Sequence, residues 1–265
     1  ITSAKGSDGT VLKHSIERMS KSKGNGVDPD EMVEIYGADA ARIFVMFAAP
    51  IENELVWNEA GIEGAVRFLQ RVWRQVYRWR DRLSVQPAVA DLAPGVTAPA
   101  AIGTDPARKL RRKTHQTIRR VDESLETLQF NTPVAALMEL SNAIGDLQAE
   151  PVSATEEEVF AVREAMESLA LMLVPFAPHT AEEIYSVVVG NELGIIANEA
   201  RFPPFSAELA KADEMEIPVQ VNGKLRAKLT VSPDIADDDL SEAAKADEKV
   251  REYTDGKEIV KIVVV

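Results

Sequence analysis

The chain has no cysteine. That excludes disulfides and thiolate metal sites, and it fits a reducing compartment. Histidine is nearly as scarce: His14, His115 and His179 lie far apart, so no metal site built on histidine is expected. No apolar run is long enough to cross a bilayer as a helix. The first residues, Ile1-Thr2-Ser3-Ala4-Lys5, offer neither an initiator methionine nor the apolar core of a signal peptide. They read as a segment of a longer protein, or as an end left by cleavage. With 265 residues, 45% of them hydrophobic, the chain can bury a core and suggests two domains.

Net positive charge is lacking as well. The formal net charge is −13, which at first argues against a nucleic-acid partner. The distribution changes that reading. The balance is zero over residues 1–83, +2 over 84–130, −10 over 131–206 and −5 over 207–265. A basic surface can survive in the first half, because screening beyond about 8–10 Å makes local charge matter more than the total.

What the first half does contain is the run Arg18-Met19-Ser20-Lys21-Ser22-Lys23-Gly24-Asn25-Gly26, closed by Val27-Asp28-Pro29. Glycines let backbone approach a ligand, lysines carry mobile positive charge and serines donate hydroxyl hydrogens. Such a loop can close over a polyphosphate and follow charge as a bond breaks. On composition alone, a solvated basic loop is the competing reading.

Further along, a short strand is predicted at 10–13. Asp28 caps a helix over 30–36 with Pro29 at its first position, and a second helix over 38–49 ends at Pro50. The longest helix runs from Glu59 to about Leu83. Its apolar face is Ala65, Phe68, Leu69, Val72, Val76, Trp79 and Leu83. Another face carries Arg67, Arg71, Arg74, Arg78 and Arg82 at steps of four, three, four and four. Five guanidinium groups in a row either form a solvated face or meet an anion, phosphate being the geometric match. Residues 84–104 read as a spanning loop. A helix over 105–130 carries a second basic line, Arg108, Arg112, His115 and Arg119, where phosphate contact and plain surface both stay open for His115. Helices over 132–147, 156–173 and 178–189 follow; Ser153 with Glu156 has the capping-box pattern, and His179 reads as structural. The acids at 156–158 read as a solvated face, and Trp57, Trp73 and Trp79 as core packing. These helices make an antiparallel bundle.

After Phe202-Pro203-Pro204-Phe205 the period changes to two. Strands over 216–221 and 225–231 flank Asn222-Gly223, a strong hairpin signal. A helix over 237–251 and a strand over 258–265 complete a small α+β module. Lys224 and Arg226 alternate on one face of their strand, where RNA backbone contact and a charged outer face both remain open.

The loop, with Gly26-Val27-Asp28-Pro29, resembles the Lys-Met-Ser-Lys-Ser signature of class I aminoacyl-tRNA synthetases, Arg18 standing in place of the first lysine. Tyr36-Gly37-Ala38-Asp39, Arg42-Ile43-Phe44, Phe47-Ala48-Ala49-Pro50, Trp57, Arg71-Val72-Trp73, Phe130-Asn131-Thr132, Pro175-Phe176-Ala177-Pro178-His179 and Val219-Gln220-Val221-Asn222-Gly223-Lys224-Leu225-Arg226 are similar, in order, to the bacterial-type leucyl-tRNA synthetase family. The resemblance implies a mainly α fold. Residues 1–56 would be a stem-contact region carrying the loop, and 57–206 an anticodon-binding-type helix bundle that holds backbone rather than bases. Residues 213–265 would be a small α+β C-terminal tRNA-binding domain, truncated at its end.

The same resemblance assigns ATP to Arg18, Met19, Ser20, Lys21 and Ser22, with Lys21 stabilising the departing pyrophosphate and Mg2+ accompanying the nucleotide. It makes tRNA(Leu) the partner of Arg67, Arg71, Arg74, Arg78, Arg108, Arg112, Arg119, Lys224 and Arg226. It implies a cytoplasmic monomer with no membrane contact and no resident metal. The N-terminal catalytic domain, with the leucine pocket, and the editing domain would lie outside this chain. An RNA-binding module without catalysis and a helical scaffold for an acidic protein are the alternative functions.

Overall fold

The computed structural model describes residues 4–5, 11–12, 16–83, 105–190, 193–211, 215–231, 235–257 and 259–264. The loop expected over 84–104 lies outside the described residues. The chain forms two compact units, Ile1–Ser206 and Ala207–Val265.

In the first unit β1 (Ala4–Lys5) pairs antiparallel with β2 (Val11–Leu12), Ala4 opposite Leu12. The predicted strand over 10–13 is β2, and its two outer residues lie outside the described set. Helices α1 (Pro29–Tyr36) and α2 (Ala38–Phe47) meet at Gly37, whose φ of 86° turns the chain sharply between them. Asp28 caps α1 by accepting from the Asp30 amide at 3.0 Å. Five longer helices follow: α3 (Glu59–Leu83), α4 (Asp105–Glu126), α5 (Asn131–Asp146), α6 (Glu156–Leu173) and α7 (Pro178–Val189). The capping box sits two residues later than the sequence pattern placed it. Thr155 Oγ1 accepts from the Glu158 amide and the Glu158 carboxylate accepts from the Thr155 amide, because residues 150–154 form a turn closed by the Glu150 carbonyl.

Helix α6 sits at the centre and packs against α3, α4, α5 and α7. Every residue from Val159 to Leu173 is buried, four of them polar or charged. Arg111 of α4 meets Glu164 with two parallel bonds, 2.7 and 3.0 Å. Arg163 donates to Glu167 one turn on, at 3.0 Å, and also to the Leu83 carbonyl that ends α3. Burial alone pushes the Glu164 pKa up; His115 and Arg111 outweigh it and leave the carboxyl below the ordinary value. Between α3 and α5, Gln75 and Ser141 exchange two hydrogen bonds. Where α2 crosses the start of α3, a Cβ on Gly61 would come within 2.6 Å of the Phe44 ring, which is itself edge-on to Trp57 at 4.9 Å. Only glycine allows that approach.

Helix α2 packs on α3, α5 and α7, and α1 on α2 and α3. Residues 1–56 and the bundle therefore share one compact unit. The second unit opens with α8 (Ala207–Ala210), ahead of residue 213.

In that second unit β3 (Met215–Val221) and β4 (Lys224–Val231) form the hairpin read from Asn222-Gly223, both at positive φ, 52° and 75°. The helix expected over 237–251 is two helices, α9 (Asp237–Ala246) and α10 (Glu248–Thr254). The Asp247 side chain breaks the run by accepting from the Lys249 and Val250 amides and starting a new helix. The strand expected over 258–265 is not formed among the described residues: 259–264 is irregular and exposed, and β3 pairs with β4 alone. A β-prone run becomes a strand only when an edge takes up its backbone groups. Among the described residues no helix is long and apolar enough to cross a membrane.

Replacing Glu164 by Ala leaves Arg111 buried without its carboxylate, at an expected cost of about 3–5 kcal/mol. Replacing the pair together (Arg111→Met with Glu164→Leu) is expected to cost far less. Urea unfolding of the three proteins at neutral pH measures the difference.

Candidate functional site

The signature loop is a small self-closed structure on the surface. Lys21–Lys23 form one 3-10 turn that ends at Gly24 in the left-handed region, φ 61°. Asn25 ties the loop across its base: its Oδ1 accepts from the Ser20 amide at 2.8 Å and its Nδ2 donates to the Arg18 carbonyl at 3.3 Å. The Ser20 and Ser22 hydroxyls lie 3.2 Å apart. Lys23 is held by Glu17 at 2.7 Å. Lys21 and Arg18 are exposed, with no ion-pair partner among the described residues. The geometry sorts the three cations: Lys23 has an exposed ion pair with Glu17, and Lys21 and Arg18 have none among the described residues. Asn25 is the residue that sequence reasoning passed over. Its signal was there, since asparagine closes turns through its own side chain.

The stripe on α3 divides in the same way. Arg82 donates to the Pro151 and Ala154 carbonyls and pairs with Glu156 at 2.9 Å. Arg78 reaches the Ala149 carbonyl and Glu150, and Arg71 reaches Asn142 at 2.6 Å. These three clamp α3 to α5 and to the segment between α5 and α6. Arg74 is exposed and unpaired among the described residues, and Arg67 has only an exposed pair with Glu63 one turn back. An exposed pair of this kind is worth little.

The second line is interrupted. His115 is buried rather than on the surface, because α4 turns that face into the packing with α6. Its Nδ1 accepts from the Ser206 amide at 3.2 Å and its Nε2 lies 3.4 Å from Glu164. Arg108 and Arg112 are half-buried and engaged in contacts of their own. Arg119 is exposed, 6.0 Å above the Phe205 ring and 4.0 Å from Glu123. In the second unit Lys224 is exposed beside the hairpin turn. The Arg226 guanidinium carbon sits over the Tyr253 ring, 3.8 Å from its centroid, so the two are not presented alike. Trp79 is core, as read. Trp73 is half-buried, with Tyr77 exposed beside it at 5.6 Å and Arg80 over the Tyr77 ring.

Where α6 turns into α7, two side chains from α2 reach in. Asp39 accepts from the Thr180 amide and hydroxyl, both at 2.6 Å, and bonds His179 Nδ1 at 2.9 Å. Arg42 donates to the Pro175 and Phe176 carbonyls at 2.8 and 3.3 Å. Burial alone pushes the Asp39 pKa up; the bonds from Thr180 and His179 outweigh it and hold the carboxyl below its ordinary 3.8.

Residues 7–58 match the class described as "tRNA synthetases class I (I, L, M and V)". Residues 107–243 match a second family, and on that match the chain belongs to the anticodon-binding domain family of tRNA ligases. It is 44% identical over 258 residues to the leucine–tRNA ligase of Geobacter sp. (strain M21), and 45% identical over 258 residues to that of Geotalea daltonii. Each alignment covers 97% of this chain and 29% of the relative. The chain thus spans about 29% of the length of these curated relatives. A crystal structure of the ternary complex of Agrobacterium radiobacter K84 agnB2 LeuRS, tRNA and LeuAMS is similar in fold. Its TM-score is 0.76 at 28% identity, covering 93% of this chain and 29% of that one.

The lowered Asp39 pKa has a definite sign. Its contribution is complete above the ordinary value of 3.8 and is lost as pH falls through the lower folded value. Asp39→Ala should therefore lower the melting temperature at neutral pH, and the gap to the parent should close as pH drops below 3.8. Melting curves from pH 7 downward measure it; a gap that widens in acid contradicts the assignment.

Proposed function

We propose that the chain is the C-terminal part of a leucine–tRNA ligase, supplying the loop that grips the phosphates of ATP and surfaces that hold tRNA(Leu). The observation that carries the reading is the exposed Lys21, without an ion-pair partner among the described residues, on a loop shaped by Asn25. The match to leucine–tRNA ligases along 97% of the chain supports it. The reaction joins leucine to ATP with release of pyrophosphate, then passes the leucyl group to the 3′ end of the tRNA. No covalent enzyme intermediate is required, so positioning and charge stabilisation carry the chemistry.

In this reading Lys21 meets the negative charge that develops on the leaving pyrophosphate. Arg18 offers a planar fork to a neighbouring phosphate oxygen, and Ser20 and Ser22 donate hydroxyl hydrogens. Met19 spaces the cations. Mg2+ would arrive with the triphosphate; no cluster of three metal-ligating side chains occurs among the described residues, and the chain's own part is the cations. Arg67, Arg74 and Arg119 are the best-placed tRNA contacts. Arg78, Arg108, Arg112 and Lys224 are secondary, and Arg71 and Arg226 act through packing. The leucine pocket and the editing site fall to the portion of the relatives beyond the 29% shared. A cytoplasmic, monomeric setting follows from the resemblance alone. The isolated chain is expected to have no ligase activity.

In the full-length protein, Lys21→Ala should slow leucine-dependent pyrophosphate exchange by about 3–4 kcal/mol of activation free energy. Binding of tRNA should be unchanged. An unaltered exchange rate removes Lys21 from the chemistry. Intact tRNA binding in a protein that never performs exchange favours an RNA-binding module without catalysis.

A further inference from the structure

Asp39 and Arg42 stand three residues apart, on one face of α2. The corner they grip lies 133 to 141 residues further along the chain. It has a specific need. Helix α7 begins after Ala177, which has no side chain to accept from the first amides. The backbone just past the end of α6 presents the Pro175 and Phe176 carbonyls. Asp39 satisfies the Thr180 amide in the first turn of α7, and Arg42 satisfies the two carbonyls. Each charge also faces the helix end whose dipole attracts it, the anion at an N-terminus and the cation beyond a C-terminus. Five directional bonds thus join α2 to the corner.

Apolar packing of Ala40, Ile43 and Phe44 already holds α2 against its neighbours. The attraction itself has no direction, and the interdigitating side chains restrict the crossing angle. The five bonds restrict it further. Helix α2 joins α1 through Gly37, and α1 begins at Pro29, three residues after the signature loop ends at Gly26. Helix α1 packs on both α2 and α3, so the placement of α2 bears on the segment that carries the loop.

We propose that Asp39 and Arg42 are positioning residues for the transfer step: they lock the loop-bearing segment to the α6–α7 corner, so that tRNA held by the bundle meets the nucleotide held by the loop at one fixed geometry. This rests on the function proposed above. Adenylate formation needs the loop and the nucleotide. Transfer also needs the tRNA in register, so breaking the lock slows transfer selectively.

The test has a physical arm and a kinetic arm. Because the chain contains no cysteine, nitroxide labels at Glu34→Cys in α1 and Glu183→Cys in α7 are unique in it. Spin–spin distance measurement should give a narrow distribution, broadened by Asp39→Ala and by Arg42→Ala at unchanged helix content. In the full-length protein both variants should lower kcat for aminoacylation by about tenfold or more. Leucine-dependent pyrophosphate exchange should fall much less, and Arg42→Lys should recover part of the loss. Thr180→Val, which removes a single hydroxyl bond to Asp39, and Arg42→Lys keep the corner packed and decide the matter if the alanine variants unfold. Equal losses in both assays, or an unbroadened distribution, overturn the proposal. A parent protein without leucine-dependent exchange would refute the proposed function instead, and the distance arm would still judge the lock.

Discussion

A helix with no outer face sets the terms for the whole first unit. From Val159 to Leu173, α6 touches protein on every side, so any charge it carries must be answered inside. Glu164 is answered by Arg111, and Glu167 by Arg163. Such pairs add little net stability compared with apolar residues of the same shape, but losing one partner is expensive. The Arg111–Glu164 pair restricts how α4 and α6 can be set against each other, and Arg163 ties α6 to the carbonyl that ends α3. Once α6 is placed, its two ends become fixed points. The segment leading into it is clamped by Arg78 and Arg82 of α3, and the corner leaving it is gripped by Asp39 and Arg42 of α2.

The same logic partitions the arginines. A guanidinium whose donors already meet carbonyls and carboxylates of its own chain has fewer left for a phosphate. On α3, Arg71, Arg78 and Arg82 are used in this way; Arg67 and Arg74 face solvent. A stripe that is uniform in sequence is thus two populations in space. On the proposed reading, one population holds the bundle in shape and the other meets RNA. The signature loop repeats the pattern on a smaller scale, with Lys23 tied to Glu17 and Lys21 left open.

What could be read from the sequence was local. The loop, the Asp28 cap, the Asn222-Gly223 turn and the apolar face of α3 each depend on residues within a few positions of one another, and the structure has them where the pattern put them. The shift of the capping box from Ser153 to Thr155 is a local misreading of two overlapping patterns. What could not be read was of two kinds. Burial on all sides leaves no periodicity, so the central place of α6 and its interior charges gave no signal. Tertiary partners lie far off in sequence: Asp39 with Thr180, Arg82 with Pro151, His115 with Ser206. The 4-3-4 spacing that His115 shares with the arginines around it points to the surface; only the packing of α4 on α6 turns it inward.

The division between structural and open arginines is most directly measured by the salt dependence of tRNA(Leu) binding to the full-length protein. The account predicts that Arg67→Ala and Arg74→Ala each make the slope of log K against log salt shallower by about one unit, with little change in melting temperature. Arg82→Ala should leave the slope alone and lower the melting temperature. If Arg82→Ala flattens the slope while Arg67→Ala and Arg74→Ala leave it untouched, the partition is drawn in the wrong place.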